Sequence, residues 1–122
     1  MAKNILNVAV FTGSRAEYGL MRYLISAIEE SSNFNLQLIV GGAHLSKKHG
    51  MTVREIEEDQ IQPAATIPVG LDQDPQPSMA ILTAETIAGV SGAIKRLKPD
   101  LLIVLGDRYE TYGAASAAHL HR

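Results

Sequence analysis

The sequence predicts an α/β fold, a doubly wound parallel sheet of Rossmann-like type in a three-layer α/β/α arrangement. Short apolar runs alternate with segments of helical periodicity along the chain. The runs are nearly continuous in apolar residues, which is typical of strands buried on both faces. Strands that alternate with helices imply right-handed crossovers and helices on both faces of the sheet. With 122 residues, 46% of them hydrophobic, the chain is long enough to form one core, so we expect a single domain over residues 1–122.

The first half of the chain predicts two strands and two helices. The apolar run from Ile5 to Thr12 is the first strand, and Asn35 to Gly42, closed by two glycines, is the second. The helix between them ends in the polar cluster EESSN. Its apolar residues recur at helical spacing and are Leu20, Met21, Leu24, Ile25 and Ile28. After the loop AHLSKKHG, a short helix fits Thr52 to Asp59.

The second half predicts two more strands and two more helices. The segment AATIPVG is a weak third strand, and LDQDPQP after it is a loop. Ser78 can cap a long helix that Pro99 ends. Its inward-facing residues are predicted to be Met79, Leu82, Ile87, Val90, Ile94 and Leu97. The segment DLLIVLGD is the fourth strand, and the alanine-rich tail from Tyr109 favours a helix, although Gly113 weakens its start.

Composition excludes several classes of function. The net charge of −2 gives no general attraction to nucleic acid or to an anionic membrane. Because the chain has no cysteine, disulfides and thiolate metal sites are excluded and a reducing compartment is expected. The first apolar run is too short for a signal peptide or a membrane span, so we expect a cytoplasmic protein. His119 and His121 fall on different faces of a helix, and Asp72 and Asp74 lack the rest of a calcium loop, so no metal or cofactor is predicted.

The strand order that this pattern favours, 3-2-1-4, places the ligand where the winding reverses, between strands one and four. Two turns follow these strands. The first binding turn is GSR, Gly13 to Arg15, and the second binding turn is GDR, Gly106 to Arg108. Segments about ninety residues apart therefore bring two arginines and one carboxylate to the predicted crevice.

The first binding turn has the chemistry of a diphosphate site. Gly13 permits a tight turn and a close approach of a ligand, the helix that follows Ser14 presents backbone N–H groups, and Arg15 adds a planar donor fork. The turn lacks both the Gly-Lys-Ser/Thr ending of a P-loop and the pattern G-x-G-x-x-G, so ATPase and dehydrogenase interpretations are weak. Taken singly, Arg15 is as often a surface or cap residue; its pairing with GDR favours the functional interpretation.

The segments TGSRAEYGLMRYL, GGAHLSKKHGMTVREIEED and LKPDLLIVLGDRYE resemble successive segments of the hydrolysing UDP-N-acetylglucosamine 2-epimerases of bacterial sialic-acid pathways. The resemblance implies two Rossmann-like domains with the nucleotide sugar between them, as in GT-B glycosyltransferases. This chain would be the N-terminal domain, without the second, UDP-binding domain. The reaction implied removes UDP from C1 and a proton from C2, then adds water with inversion at C2 to give N-acetylmannosamine.

The resemblance also implies roles for single residues. Asp107 matches the family's acid/base position, and Arg15 and Arg108 match positions that contact UDP. The remaining substrate-binding candidates are Gly13, Ser14, His44 and Glu110; Glu17 and Glu110 match the family less specifically. Non-hydrolysing relatives carry a lysine where this chain has Leu20, which favours the hydrolysing class. The implied partners are a UDP-sugar substrate and a second copy in a homo-oligomer.

Several alternatives remain open at this stage. The chain could be a nucleotide-sugar-binding module, part of an epimerase that acts on a 2,4-diacetamido sugar, half of a GT-B glycosyltransferase, or a structural or regulatory fragment without a ligand. A loop histidine such as His44 is more often structural than a ligand contact. Tyr18 and Tyr109 follow the two binding turns, and core packing explains them as well as contact with a base or a sugar.

Overall fold

The computed structural model describes residues 4–121 and contains one sheet of four parallel strands in the order β3-β2-β1-β4. The strands are β1 (Leu6–Thr12), β2 (Phe34–Gly41), β3 (Ala65–Ile67) and β4 (Leu101–Ile103). β1 pairs along its whole length with β2 and over Val8 to Val10 with β4. The predicted strand order and the parallel α/β class are confirmed.

Four α-helices connect and follow the strands. They are α1 (Arg15–Glu30), α2 (Val53–Glu58), α3 (Met79–Leu97) and α4 (Tyr109–His121), and single 3₁₀ turns lie at Gly42–Leu45, Lys47–His49 and Gly70–Asp72. The two long crossover helices begin at serine N-caps. Ser14 Oγ accepts a hydrogen bond from the Glu17 N–H, and Ser78 Oγ accepts one from the Ile81 N–H. Each cap satisfies a backbone donor that the first turn of a helix leaves without an intrahelical partner.

Apolar side chains of alternate strand residues form two cores, one on each face of the sheet. One core joins the sheet to α1 and α2; its buried members include Val8, Val10, Met21, Ile25, Leu38, Val40 and Ile56. The other joins it to α3 and α4; its buried members include Ala9, Phe11, Ile39, Ile67, Val90, Ala93 and Ala114. Because each large aliphatic side chain contributes about 1.5–3 kcal/mol when fully buried, these two cores hold the three layers together.

β4 is shorter than the predicted strand DLLIVLGD. Only Leu101 to Ile103 pair with β1, and the chain leaves the sheet before Gly106, where φ is +118°. β4 is an edge strand among the described residues, and the Leu101 side chain is 56% exposed. The apolar run therefore continues past the last paired residue into the second binding turn.

Two details of helix packing also differ from the sequence expectation. Met79 was predicted to face inward but is 56% exposed, because it lies in the first turn of α3, ahead of the part that packs on the sheet. Gly113, which weakened the predicted last helix, lies where α4 crosses α3. A Cβ atom on Gly113 would come within 2.9 Å of the Thr86 side chain, so the glycine allows the close approach of the two helices.

Candidate functional site

The candidate site lies at the carboxyl ends of β1 and β4. Parallel pairing of these two strands places the first and second binding turns side by side at one edge of the sheet. This is the point where the winding of the sheet reverses, and open α/β sheets bind their ligands there. The two turns also contact each other through two glutamates, Glu17 of α1 and Glu110 of α4.

Hydrogen bonds of the Gly13 backbone hold the first binding turn in place. The Gly13 N–H donates to Glu17 Oε2 at 3.0 Å, and the Gly13 carbonyl accepts from the Ala43 N–H at 2.9 Å. Ser14 caps α1 with its side chain. The spacing Ser-x-x-Glu is that of a capping box, although Glu17 reaches one residue further back than usual, to Gly13. The Ser-x-x-Glu spacing is visible in the sequence and could have predicted the structural role of Glu17.

Gly13 packs closely against Glu110. A Cβ atom at this position would lie 2.2 Å from Cγ of Glu110, far inside van der Waals contact. The space that the missing side chain leaves is therefore filled by Glu110. The close approach of a ligand to the Gly13 backbone, and direct contact between Gly13 and a substrate, stay predictions.

The second binding turn presents one anion and one cation to solvent. Gly106 has a φ of +118°, which a residue with a side chain rarely adopts. This conformation turns the chain sharply, and both Asp107 and Arg108 are exposed. Arg108 Nε lies 3.2 Å from Oε1 of Glu110. The Thr111 hydroxyl donates to the Leu105 carbonyl at 3.3 Å, which ties the turn to the start of α4.

Glu17 and Glu110 are carboxylates buried directly behind the two turns. Burial raises the pKa of Glu110; its own backbone N–H and Arg108 oppose that shift, and Glu17 adds to it. Burial likewise raises the pKa of Glu17, against the N–H of Gly13, the charge of Arg108 and the Thr111 hydroxyl. Sequence analysis proposed Glu110 as a substrate contact. Because Glu110 is fully buried, its role in this structure is to support the turns, and direct contact stays a prediction.

The two arginines of the candidate site each have a carboxylate neighbour. Arg15 Nε lies 3.1 Å from Oε2 of Glu55 on α2, and the Arg15 side chain is 73% exposed. Arg108 is paired with Glu110, and its side chain is 51% exposed. Both guanidinium groups are therefore exposed at the carboxyl ends of the strands, and each is oriented by its own carboxylate neighbour.

The His44 side chain is buried beneath the carboxyl ends of the strands and is not exposed at the surface of the candidate site. The ring is fully buried, and its Nε2 and Nδ1 atoms are each 2.9 Å from a hydroxyl, of Thr12 and Thr52 respectively. Burial lowers the pKa of His44 to about 4, so the ring is neutral at physiological pH. This geometry favours the structural alternative for His44, and contact with a substrate stays a prediction.

Asp72 is exposed, and its carboxylate joins two loops at the carboxyl ends of the strands. It accepts hydrogen bonds from the Ser46 hydroxyl at 2.5 Å and from the Lys47 N–H at 2.7 Å. Within residues 4–121, no group of three or more His, Asp or Glu side chains is arranged to hold a metal ion. In the same range, no helix combines the length and the apolar character needed to cross a bilayer.

Comparison with known proteins identifies relatives of this chain. Residues 26–122 match the family model described as UDP-N-acetylglucosamine 2-epimerase. Over 118 residues the chain is 37% identical to the UDP-N,N'-diacetylbacillosamine 2-epimerase (hydrolyzing) of Legionella pneumophila. This match covers 96% of the present chain and 31% of the relative. It is 31% identical to the polysialic acid biosynthesis protein P7 of Escherichia coli, over 98% of this chain and 30% of that protein. The chain thus spans about a third of the length of the relatives it matches.

A solved structure supports the fold. The crystal structure of UDP-GlcNAc 2-epimerase from Neisseria meningitidis, bound to UDP-GlcNAc, superposes with a TM-score of 0.80 at 20% identity. The match covers 95% of this chain and 30% of that one.

Proposed function

The chain belongs to the UDP-N-acetylglucosamine 2-epimerase family, and we propose that it forms the N-terminal, substrate-binding part of a hydrolysing 2-epimerase of UDP-sugars. The observation that carries the proposal is the pair of binding turns. Arg15 and Arg108 are both exposed, one in each binding turn, at the carboxyl ends of the paired strands β1 and β4; Arg15 begins α1, and Arg108 follows the exposed Asp107 in the chain. Two cations and a helix N-terminus suit a diphosphate.

In the proposed reaction, the arginines stabilise the charge that develops on the diphosphate as the bond between C1 and its oxygen breaks. The proton on C2 is removed in the same elimination, which gives a glycal and UDP. Water then adds across the double bond with inversion at C2. Asp107 is the proposed acid/base group, because its carboxylate is exposed at the turn and can accept and return a proton.

Two substrates fit this proposal. The first is UDP-N-acetylglucosamine, converted into N-acetylmannosamine for sialic-acid synthesis, which the similarity to polysialic acid biosynthesis protein P7 supports. The second is a UDP-2,4-diacetamido sugar. The higher identity to the Legionella pneumophila enzyme, whose name specifies UDP-N,N'-diacetylbacillosamine, favours this second substrate. The hydrolysing class, the cytoplasm as compartment and a homo-oligomer as assembly are parts of the same proposal.

Binding of UDP to the chain tests the proposed site. Replacing Arg108 or Arg15 by Gln is expected to weaken UDP binding about 10- to 100-fold, the scale of a lost hydrogen bond to a charged group. Arg96→Gln is the matched control, because Arg96 is exposed in the last turn of α3, at the opposite edge of the sheet. Isothermal titration calorimetry measures all four proteins. Absence of UDP binding, or equal affinities in the four proteins, would overturn the proposed site.

A further inference from the structure

Glu17 and Glu110 form a buried pair of carboxylates. Support of the two binding turns does not by itself explain why two acidic groups are buried there. Both oxygens of Glu110 and Oε1 of Glu17 are buried, and among the described residues none of the three has a hydrogen-bond partner of good geometry; Oε1 of Glu110 has Arg108 Nε at 3.2 Å as its ion-pair partner. Buried carboxylate oxygens without hydrogen-bond partners are uncommon and costly. Their ionised forms therefore depend on charge from neighbouring groups.

Arg108 is the cation that these carboxylates face. Its charge lowers the pKa of both Glu17 and Glu110. The neighbouring carboxylates disfavour ionisation, because Glu17 raises the pKa of Glu110 and Asp107 raises the pKa of Glu17. The Tyr109 hydroxyl also lies near the pair, and burial together with Glu110, Glu85 and Glu17 raises its own pKa to about 12, so it stays neutral and supplies no charge. Removing Arg108 from this cluster leaves two buried carboxylates with no cation to compensate them.

We propose that diphosphate binding draws the Arg108 guanidinium away from Glu110 and that Glu110 then takes up a proton from solvent. This inference rests on the proposed function, because it takes the diphosphate of UDP as the ligand of Arg108. The step is a protonation: a solvent proton adds to a carboxylate oxygen of Glu110, and no other bond forms or breaks. Substrate binding and proton uptake are then linked.

The geometry allows this exchange. The Arg108 side chain is about half exposed, while its partner Glu110 is fully buried. Arg108 can therefore turn to a phosphate at the surface, and the carboxylate cannot follow it. A buried carboxylate that loses its cation and keeps a like charge beside it binds a proton more readily.

The pair of Arg15 and Glu55 provides an internal control. Glu55 is about one-third exposed, so water solvates its carboxylate when Arg15 moves to a ligand. Departure of Arg15 is expected to cause no proton uptake. The coupling thus depends on the burial of Glu110 rather than on the presence of an ion pair.

The first test is calorimetric titration of UDP in buffers of different ionisation enthalpy, between about pH 7.5 and about pH 9, above the phosphate pKa of about 6. We expect net proton uptake on binding and a Kd that weakens with rising pH, by at most about tenfold per unit for one proton. Glu110→Gln is expected to abolish both effects, and Glu55→Gln to retain them. UDP binding with no proton uptake, or uptake that persists in Glu110→Gln, would overturn the inference.

The second test needs no ligand, so it separates this inference from the proposed function. The carboxyl ¹³C resonance of Glu110, assigned by its loss in Glu110→Gln, is titrated in the wild-type chain and in Arg108→Ala. We expect the midpoint to move to higher pH in Arg108→Ala, as the cation is lost. An unchanged midpoint would overturn the inference. If UDP failed to bind, the proposed function would fall, and this titration would still decide whether Arg108 controls the proton on Glu110.

Discussion

Asp107 and Arg108 are neighbours in the chain, but their side chains have different surroundings. Arg108 has a buried carboxylate behind it, which holds the guanidinium at the sheet edge. Asp107 is exposed on the sharp turn that Gly106 allows. The turn thus presents an oriented cation next to a solvent-accessible carboxylate, which is the arrangement that elimination of a diphosphate needs.

The first residue-level prediction concerns Asp107→Asn in the complete enzyme that the proposed function implies. Asparagine has nearly the size and polarity of aspartate but cannot transfer a proton. We expect turnover to fall about a hundredfold or more, the scale of a lost general acid/base, with little change in stability or UDP affinity. Steady-state kinetics and a urea melt measure the three quantities. Near-normal turnover would contradict the assignment of Asp107 as the acid/base group.

A second prediction concerns Gly13. Gly13→Ala places a Cβ atom 2.2 Å from Cγ of the buried Glu110, so the glutamate must shift, and we expect a loss of about 1–3 kcal/mol in the free energy of unfolding. Gly19→Ala is the matched control in α1, where a Cβ atom would meet nothing within 4 Å. It is expected to stabilise by about 0.5–1 kcal/mol, because alanine favours a helix over glycine. Equal effects of the two substitutions in urea denaturation would contradict this packing.

Among the elements, the loops after the strands are tied to one another at the sheet edge. His44, after β2, lies between Thr12 at the end of β1 and Thr52 before α2. Asp72, after β3, binds the loop that follows His44 through Ser46 and Lys47. Polar side chains therefore hold these loops in place behind the first binding turn.

The pH dependence of stability tests the burial of His44. Its pKa is lowered from 6.5 to about 4, so the unfolded chain binds a proton that the folded chain rejects, and stability falls as the pH drops below the unfolded pKa. Between about pH 7.5 and about pH 5 the group is expected to cost about 2 kcal/mol. His44→Gln removes this contribution, so the stability gap between wild type and variant should narrow on acidification in urea melts. A constant gap would mean that the ring is not buried and neutral.

Much of the element pattern could be predicted from the sequence, because it depends on local periodicity. The apolar runs of β1 and β2 and the cap at Ser78 determine their elements without tertiary information. The length of β4 could not be predicted in this way. An apolar run shows which residues avoid water, whereas pairing with β1 decides that only Leu101 to Ile103 form the strand.

The candidate site was predictable in position but not in detail. The switch-point rule placed GSR and GDR together from strand order, and the structure has that order. The contact of Glu17 with the second binding turn and that of Glu110 with the first depend on how α1 and α4 approach each other, and no spacing within either helix specifies that approach. For the same reason, the sequence does not reveal that Glu110 packs against Gly13.

For the whole molecule, the exposed edge of the sheet at β4 has a predictable consequence. Leu101, in β4, is 56% exposed, and Leu105, just after the strand, is 40% exposed; among the described residues β4 pairs only with β1. An open apolar strand edge favours pairing with another chain. We therefore expect the 122-residue protein to self-associate or to have low solubility. Analytical ultracentrifugation over a range of concentrations checks this, and a strictly monomeric protein at high concentration would count against it.

The last prediction is that this chain, by itself, does not convert UDP-N-acetylglucosamine or a UDP-2,4-diacetamido sugar. It spans about a third of the length of its relatives, and its binding turns lie on one open sheet edge where Asp107 and both arginines are exposed to water. Catalysis of the elimination requires a sugar that is held in a fixed orientation and shielded from solvent. A site on one exposed edge can bind the ligand but provides neither the fixed orientation nor the shielding. Binding of UDP without its release from either UDP-sugar is the expected result. A coupled assay for UDP, run against a blank without protein, measures it, with Asp107→Asn as the control for contaminating activity. UDP release above the blank that disappears in Asp107→Asn would show that these 122 residues hold a complete active site.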